Sequence, residues 1–281
     1  MNSGKMTNKG WEFRVDAVPF QNKDWRVGVY FNIAHNENKI TEMPDNYIEE
    51  NYTFGNGNYA YRREEGRPMG SFYGYRYKGV YQNKDATYAR DIEGNVMKDI
   101  SGNAIVMRNG SYTVAPGDAI YEDVNHDGVI NQYDIVYLGN SNPRLTGGAG
   151  LNVSYKQFKL SAIFYGRYGQ DVVNATRLNN ESMRGIDNQS TAVLRRWRNE
   201  GDQTDIPRAL YGEGYNTLGS DRFVEDASYL RLKSLSFTYR LPKKAIQRWG
   251  FNNIDVYVTG YNLFTWTNYT GQDPEVKTQL A

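Results

Sequence analysis

The stretch Asp123-Val124-Asn125-His126-Asp127-Gly128-Val129-Ile130-Asn131-Gln132-Tyr133-Asp134 sets oxygen donors at alternate positions around a central glycine. A calcium loop uses this spacing, with side-chain oxygens at positions one, three and five, a backbone carbonyl at seven, a carboxylate at twelve and a glycine for the sharp turn. The predicted ligands are Asp123, Asn125, Asp127, the carbonyl of Val129, and Asp134. Asp134 replaces the usual bidentate Glu and has a shorter arm. No helical pattern flanks the motif, so the expectation is a loop-only Ca2+ site at 123–134. Its role would be structural, because a fixed ion orders a long loop without doing chemistry. The plainer reading is an Asx-rich turn held by its own side chains.

Catalytic constellations are poor. The two histidines, His35 and His126, are far apart and lack zinc-motif spacing. No Gly-x-Ser-x-Gly elbow is present, and Gly147-Gly148-Ala149-Gly150 lacks the Lys-Ser/Thr ending of a phosphate loop and leads into a strand. Cys is absent, which removes thiolate nucleophiles, disulfides and zinc–thiolate sites. The expectation is a protein that is not an enzyme. Basic and acidic residues number 33 and 32, a formal net charge of +1 with no concentrated basic patch, so nucleic acid is not an expected partner.

The elements that must position the loop are strands. Trp11, Phe13, Val15 and Ala17 alternate with Glu12, Arg14 and Asp16. After the polar turn Gln21-Asn22-Lys23-Asp24, Trp25, Val27, Val29, Phe31 and Ile33 alternate with Arg26, Gly28, Tyr30 and Asn32. Two period-2 strands of about ten residues around a tight turn predict a β-hairpin. The pattern returns in Leu151-Asn152-Val153-Ser154-Tyr155, in Leu160, Ala162 and Phe164, and in Ile254, Val256 and Val258. Between Ser228 and Leu241 the apolar parity switches from Leu230 and Leu232 to Leu235, Phe237 and Tyr239, which predicts a bulge near Lys233-Ser234. Some turns are a few residues, whereas 36–67 and 172–222 are long and polar. A short helix is expected over Thr191–Asn199, stopped by Gly201, with Arg195, Arg196 and Arg198 on a solvated face. The chain shows no repeat beyond the hairpin alternation.

Composition agrees with an all-β chain: 24 Tyr, 11 Phe, 5 Trp and 28 Gly against 8 Pro. No apolar run is long enough for a spanning helix, but barrel strands show lipid only every second side chain. Unequal connections and aromatic enrichment suit a transmembrane β-barrel. A Tyr-rich soluble sandwich is the alternative on composition alone. The start Met1-Asn2-Ser3-Gly4-Lys5 lacks the apolar core of a signal peptide, which predicts a processed chain or a fragment.

Several phrases together resemble the C-terminal part of SusC/RagA-type TonB-dependent outer-membrane transporters. They include Asn8-Lys9-Gly10-Trp11-Glu12-Phe13, Gly70-Ser71-Phe72-Tyr73-Gly74-Tyr75, Asp123-Val124-Asn125-His126-Asp127-Gly128 and Gly139-Asn140-Ser141-Asn142-Pro143. Thr204-Asp205-Ile206-Pro207-Arg208-Ala209, Ser228-Tyr229-Leu230-Arg231-Leu232-Lys233 and Gly260-Tyr261-Asn262-Leu263-Phe264-Thr265-Trp266-Thr267 extend the likeness over nearly the whole chain. The resemblance implies an antiparallel transmembrane β-barrel, a plugged one of roughly 22 strands. With about seven candidate strands here, the expectation is an open partial segment over 1–281, incomplete at both ends, with long extracellular loops and the 123–134 loop inserted in one of them. It further implies uptake of oligosaccharides or peptides in the outer membrane of a Gram-negative bacterium, with a SusD-like lipoprotein, the TonB complex through an N-terminal part, and membrane lipid as partners. The competing expectation is a secreted, calcium-dependent glycan-binding β-module, which would be soluble without detergent.

Overall fold

The computed structural model describes residues 4–43, 59 and 63–275. Six long strands make one sheet in chain order: β1 (Lys5–Gln21), β2 (Trp25–Glu42), β3 (Leu145–Tyr155), β4 (Phe158–Tyr168), β5 (Tyr229–Arg240) and β6 (Asp255–Thr267). Every neighbouring pair is antiparallel. The outer edges of β1 and β6 have no partner strand among the described residues, so the sheet is an open segment of a barrel wall. Six long strands stand where about seven were expected.

Register explains why the alternation matters. Phe20, Val27, Val153, Leu160, Phe237 and Val258 lie in one row across all six strands. The adjacent row of opposite parity reads Gln21, Arg26, Ser154, Lys159, Thr238 and Tyr257. One face is therefore apolar and the other polar, as in a wall between lipid and a wet lumen. No second sheet covers the apolar face among the described residues: Phe13 is 53% and Phe31 45% exposed. A closed two-sheet core is thereby excluded for these strands.

The bulge falls where the parity switch put it. Ile163 pairs with Ser234 and Phe164 with Leu232, leaving Lys233 unmatched, so Leu230 and Leu232 share a face with Leu235 and Phe237. At the first turn the Asn22 side chain accepts from the amides of Asp24 (2.9 Å) and Trp25 (2.8 Å), an Asx turn. β1 and β2 run on past the apolar stripe. Trp11 packs beside His35 at 6.0 Å, and beyond that pair the partners are Lys9 with Glu37, Asn8 with Asn38 and Thr7 with Lys39. This polar extension of about 20 Å, at ~3.3 Å per residue, stands above the apolar band.

The short turns 22–24 and 156–157 lie on one rim together with 241–254, which holds the helical turns Lys243–Ile246 and Gln247–Trp249. The connections 43–144 and 169–228 both leave the opposite rim, so the first is longer than the polar stretch at 36–67 suggested and begins only after Glu42. Ser71–Gly74 pairs with Val136–Asn140, Tyr77–Val80 with Ala119–Tyr121, and Asp171–Val173 with Val224–Asp226. Tyr75, Tyr81, Met107, Val114 and Tyr121 of the first connection close a core with Tyr215 and Leu218 of the second. A smaller core joins Phe72 to Val173, Leu178 and Phe223.

Two expectations need correction. The helix over Thr191–Asn199 is a short 3-10 turn, Thr191–Arg195, because Arg196 leaves the helical conformation and the Trp197 amide bonds to Ile206 O at 2.9 Å. A repeat does exist: Ala89-Arg90-Asp91-Ile92-Glu93-Gly94-Asn95-Val96 is followed by Met97-Lys98-Asp99-Ile100-Ser101-Gly102-Asn103-Ala104. In each unit the Asp side chain accepts from the amides two and four residues on. The equivalent residues close a three-membered ring of backbone bonds, Met97 N–H to Ala89 O, Ile105 N–H to Met97 O, and Ala89 N–H to Ile105 O.

Candidate functional site

The loop from Asp123 to Asp134 sits in the first connection, against the eight-residue repeat. Gly128 has φ +80°, and a Cβ there would lie 2.9 Å from the Ala89 Cβ, so only glycine fits this turn. Asp123 Oδ2 accepts from the Gly128 amide at 2.8 Å, and Asp127 Oδ1 accepts from the Val129 amide at 2.8 Å. Asn125 Nδ2 donates to Asp127 Oδ2 at 2.9 Å, and Val129 O accepts from Asn131 Nδ2 at 3.1 Å. These bonds spend the loop's oxygens on its own amides, so the turn is held by its own side chains.

Asp134 is placed differently. It is fully buried, accepting from the amides of Val124 and Asn131 at 2.8 Å each, and it closes a capping box with Asn131. Burial pushes its carboxyl above the usual range, against the pull of those amides. Among the described residues no group of three or more His, Cys, Asp or Glu side chains is arranged to hold a metal ion. The two histidines are each held by a backbone carbonyl, His35 by Arg144 O at 2.6 Å and His126 by Arg90 O at 3.3 Å.

Sequence reasoning passed over the residues that join the two long connections. Asp118 is fully buried and accepts from Arg208 Nε (2.7 Å), the Tyr112 hydroxyl (2.7 Å), the Ala115 amide (2.8 Å) and Asn216 Nδ2 (3.2 Å). Next to it Gly117, at φ +89°, lets the Trp197 ring lie where a Cβ would be, 2.3 Å from Cε3. The only sequence hint was that Arg208 falls inside the Thr204–Ala209 phrase.

Further ion pairs stand at the rim. Glu181 pairs with Arg222 at 2.8 Å and Arg177 at 3.0 Å, and the Arg222 guanidinium lies 4.9 Å over the Phe223 ring. Glu225 accepts from the Thr270 amide and hydroxyl at 2.8 Å each, and from Arg177 at 3.2 Å. Arg231, a buried residue of β5, reaches Asp273 and Glu275 at 2.6 Å each and pins the segment after β6 to the wall. A polar cleft of about 530 Å³ opens between Arg63, Glu64, Arg67, Tyr73, Arg76 and Tyr137. There Arg67 lies 4.3 Å over the Tyr137 ring and Tyr73 donates to Glu64 at 2.7 Å.

A sheet with one exposed apolar face, short turns on one rim and large interlocked connections on the other defines a portion of a large β-barrel wall with its loop crown. Comparison with known proteins agrees. No family model matches the chain. Over 98% of its length it is 33% identical to TonB-dependent receptor P3 of Formosa agariphila, covering 26% of that protein. It is 28% identical over 99% of its length to TonB-dependent receptor SusC of Bacteroides thetaiotaomicron, covering 25% of it. The structure of the RagAB peptide transporter superposes with a TM-score of 0.70 at 26% identity, over 97% of this chain and 27% of that one. The chain thus spans about a quarter of the length of the relatives it matches. Over nearly its whole length the chain is similar to one barrel portion of TonB-dependent receptors of the SusC/RagA type.

Proposed function

We propose that the chain is a C-terminal portion of a TonB-dependent importer in the outer membrane of a Gram-negative bacterium, and that it acts in transport and not as an enzyme. The observation that carries this reading is the pair of unlike faces on one sheet, with every long connection gathered on one rim. The apolar rows face lipid, the polar rows face a solvated lumen, and the crown of connections 43–144 and 169–228 forms the extracellular mouth. A SusD-like lipoprotein closes that mouth, and TonB energises release through another part of the receptor. The cargo is a peptide or an oligosaccharide, and the similarity to a RagAB peptide transporter favours peptide. The test is uptake of labelled oligopeptides and oligosaccharides in cells that carry or lack the gene. Import lost on deletion and on removal of TonB supports the reading; unchanged import of both classes overturns it.

We also propose that loop 123–134 takes Ca2+ as a structural ion, held by Asp123, Asn125, Asp127 and the Val129 carbonyl, with Asp134 bracing the turn from behind. The donor chemistry and the required glycine turn support this.

A further inference from the structure

The apolar face of the wall has one gap, and its shape follows from register. Ile33, Gly147, Gly166, Leu230 and Trp266 lie in one row across β2 to β6. The row below, toward the short turns, reads Phe31, Ala149, Phe164, Leu232 and Phe264. The row above carries His35, Leu145 and Tyr168. Two adjacent glycines therefore leave a side-chain gap between Ile33 on β2 and Leu230 on β5, three strand spacings or about 14 Å apart from backbone to backbone. The result is an open groove of about 550 Å³, lined by Phe31, Ile33, Ala149, Phe164, Leu230 and Trp266.

We infer that this groove seats one acyl chain of a membrane lipid in the leaflet on the long-connection side. The inference rests on the barrel-wall reading of the apolar face. The groove is continuous with the rows that meet the bilayer, so hydrocarbon is what the site meets first. Its depth is that of one missing side chain. A hydrocarbon chain sinks into that depth, whereas a helix of about 10–12 Å diameter rides over it. Phe31 and Phe164 close the lower end, and the exposed Tyr168 and Trp266 stand at the upper, interfacial end, where aromatic rings favour the headgroup level. The glycines also have a backbone reason to be glycine. A Cβ at Gly147 would meet Asn32 O at 2.7 Å, and one at Gly166 would meet Tyr229 O at 2.8 Å. The informative substitutions are therefore the walls and floor, not the glycines.

The test uses the complete receptor with this segment in its barrel, titrated in detergent with dioleoyl phosphatidylethanolamine and followed by native mass spectrometry. One tightly held lipid per barrel is expected. Its affinity falls at least tenfold in Ala149→Leu, which fills the groove, and in Leu230→Ala, which removes a wall. Val258→Ala, on the same face outside the groove, leaves it unchanged. Equal retention in all four proteins overturns the inference, as does a groove-dependent dimer in place of the lipid adduct, which gives the surface to a second copy. Nitroxides at Val27→Cys and Val258→Cys separate this failure from that of the wall itself. If oxygen reaches them in bilayers and a water-soluble nickel chelate does not, the wall stands and only the groove falls; free collision with nickel overturns both.

Discussion

Removing the Asp118 carboxylate should uncouple the two long connections. Its four donors come from both: Tyr112 and Ala115 from the first, Arg208 and Asn216 from the second. Asp118→Ala leaves a hydroxyl, a backbone amide and a side-chain amide without their acceptor, each costing on the order of 1–3 kcal/mol if wholly unpaired. Water entering the vacated space offsets part of that cost. Arg208 is 33% exposed at its side chain and rehydrates, so its share is discounted from that of a wholly buried pair. The loss settles at about 3 kcal/mol, roughly a hundredfold in the opening equilibrium.

The assay is amide hydrogen exchange on the complete receptor. Residues 112–121 and 205–218 should both exchange about a hundredfold faster in Asp118→Ala, while the wall strands stay protected. Arg208→Met should cost much less in the Asp118→Ala background than alone, with a coupling of about 2 kcal/mol. Faster exchange confined to 112–121, with 205–218 unchanged, would refute the claim that this carboxylate holds the connections together.

Three more outcomes are expected. Terbium added to the receptor should luminesce from loop 123–134, with calcium displacing it and Asp127→Ala abolishing it; a silent wild type reduces the motif to a turn. Glu225 should tie the Thr270 segment in a pH-dependent way. Burial alone would raise its carboxyl, but the Thr270 amide and hydroxyl, Asn174 and Arg177 outweigh that and hold it below the usual Glu range. A lowered folded-state pKa gives stability that is present above the unfolded value and lost as pH falls through the folded one. The protection factor at Thr270, corrected for the intrinsic pH dependence of exchange, should therefore fall on acidification below the ordinary Glu range and be flat above it, and Glu225→Gln should remove the dependence. Residues 1–281 expressed without detergent should aggregate, because among the described residues β1 and β6 have outer edges without a partner strand, beside rows of exposed Phe, Val and Trp. A soluble monomer with one cooperative melt would instead favour the secreted glycan-binding module.

The wall was legible because period-2 alternation is a local property: Trp25 to Ile33 name their face without knowing their neighbours. The bulge at Lys233 was legible for the same reason, since a parity switch within one strand needs no partner to be seen. The crown was not. Thr191–Asn199 reads as helix by local preference, but Trp197 is drawn out to Ile206 and against Gly117, which no local pattern reports. Asp134 occupies the twelfth position of a calcium loop, and nothing in that spacing reports that it also closes a capping box with Asn131. Asp118 and Arg208 are 90 residues apart, and neither belongs to a motif that names the other. The repeat at 89–104 has only two full units, too few to stand out from ordinary Asx turns.

These differences follow from how each part is held. The strands of the wall are sorted by solvent, and any β-branched or aromatic residue of the right parity serves, which makes the pattern redundant along each strand. The crown joins segments far apart in the chain through single ionic contacts: Asp118 with Arg208, Glu181 with Arg222, Glu225 with Arg177, and Arg231 with Asp273 and Glu275. Of these, Glu181 with Arg222 is buried on both sides, and such a pair adds little net stability over an apolar replacement, because desolvation offsets most of the Coulomb gain. Breaking one side is costly all the same, since it strands a charge. The pairs therefore penalise wrong pairings of the connections more than they strengthen the right one. The wall needs no such pairs, because parity alone sorts its side chains, and its backbone is demanding where Gly147 and Gly166 let neighbouring carbonyls approach.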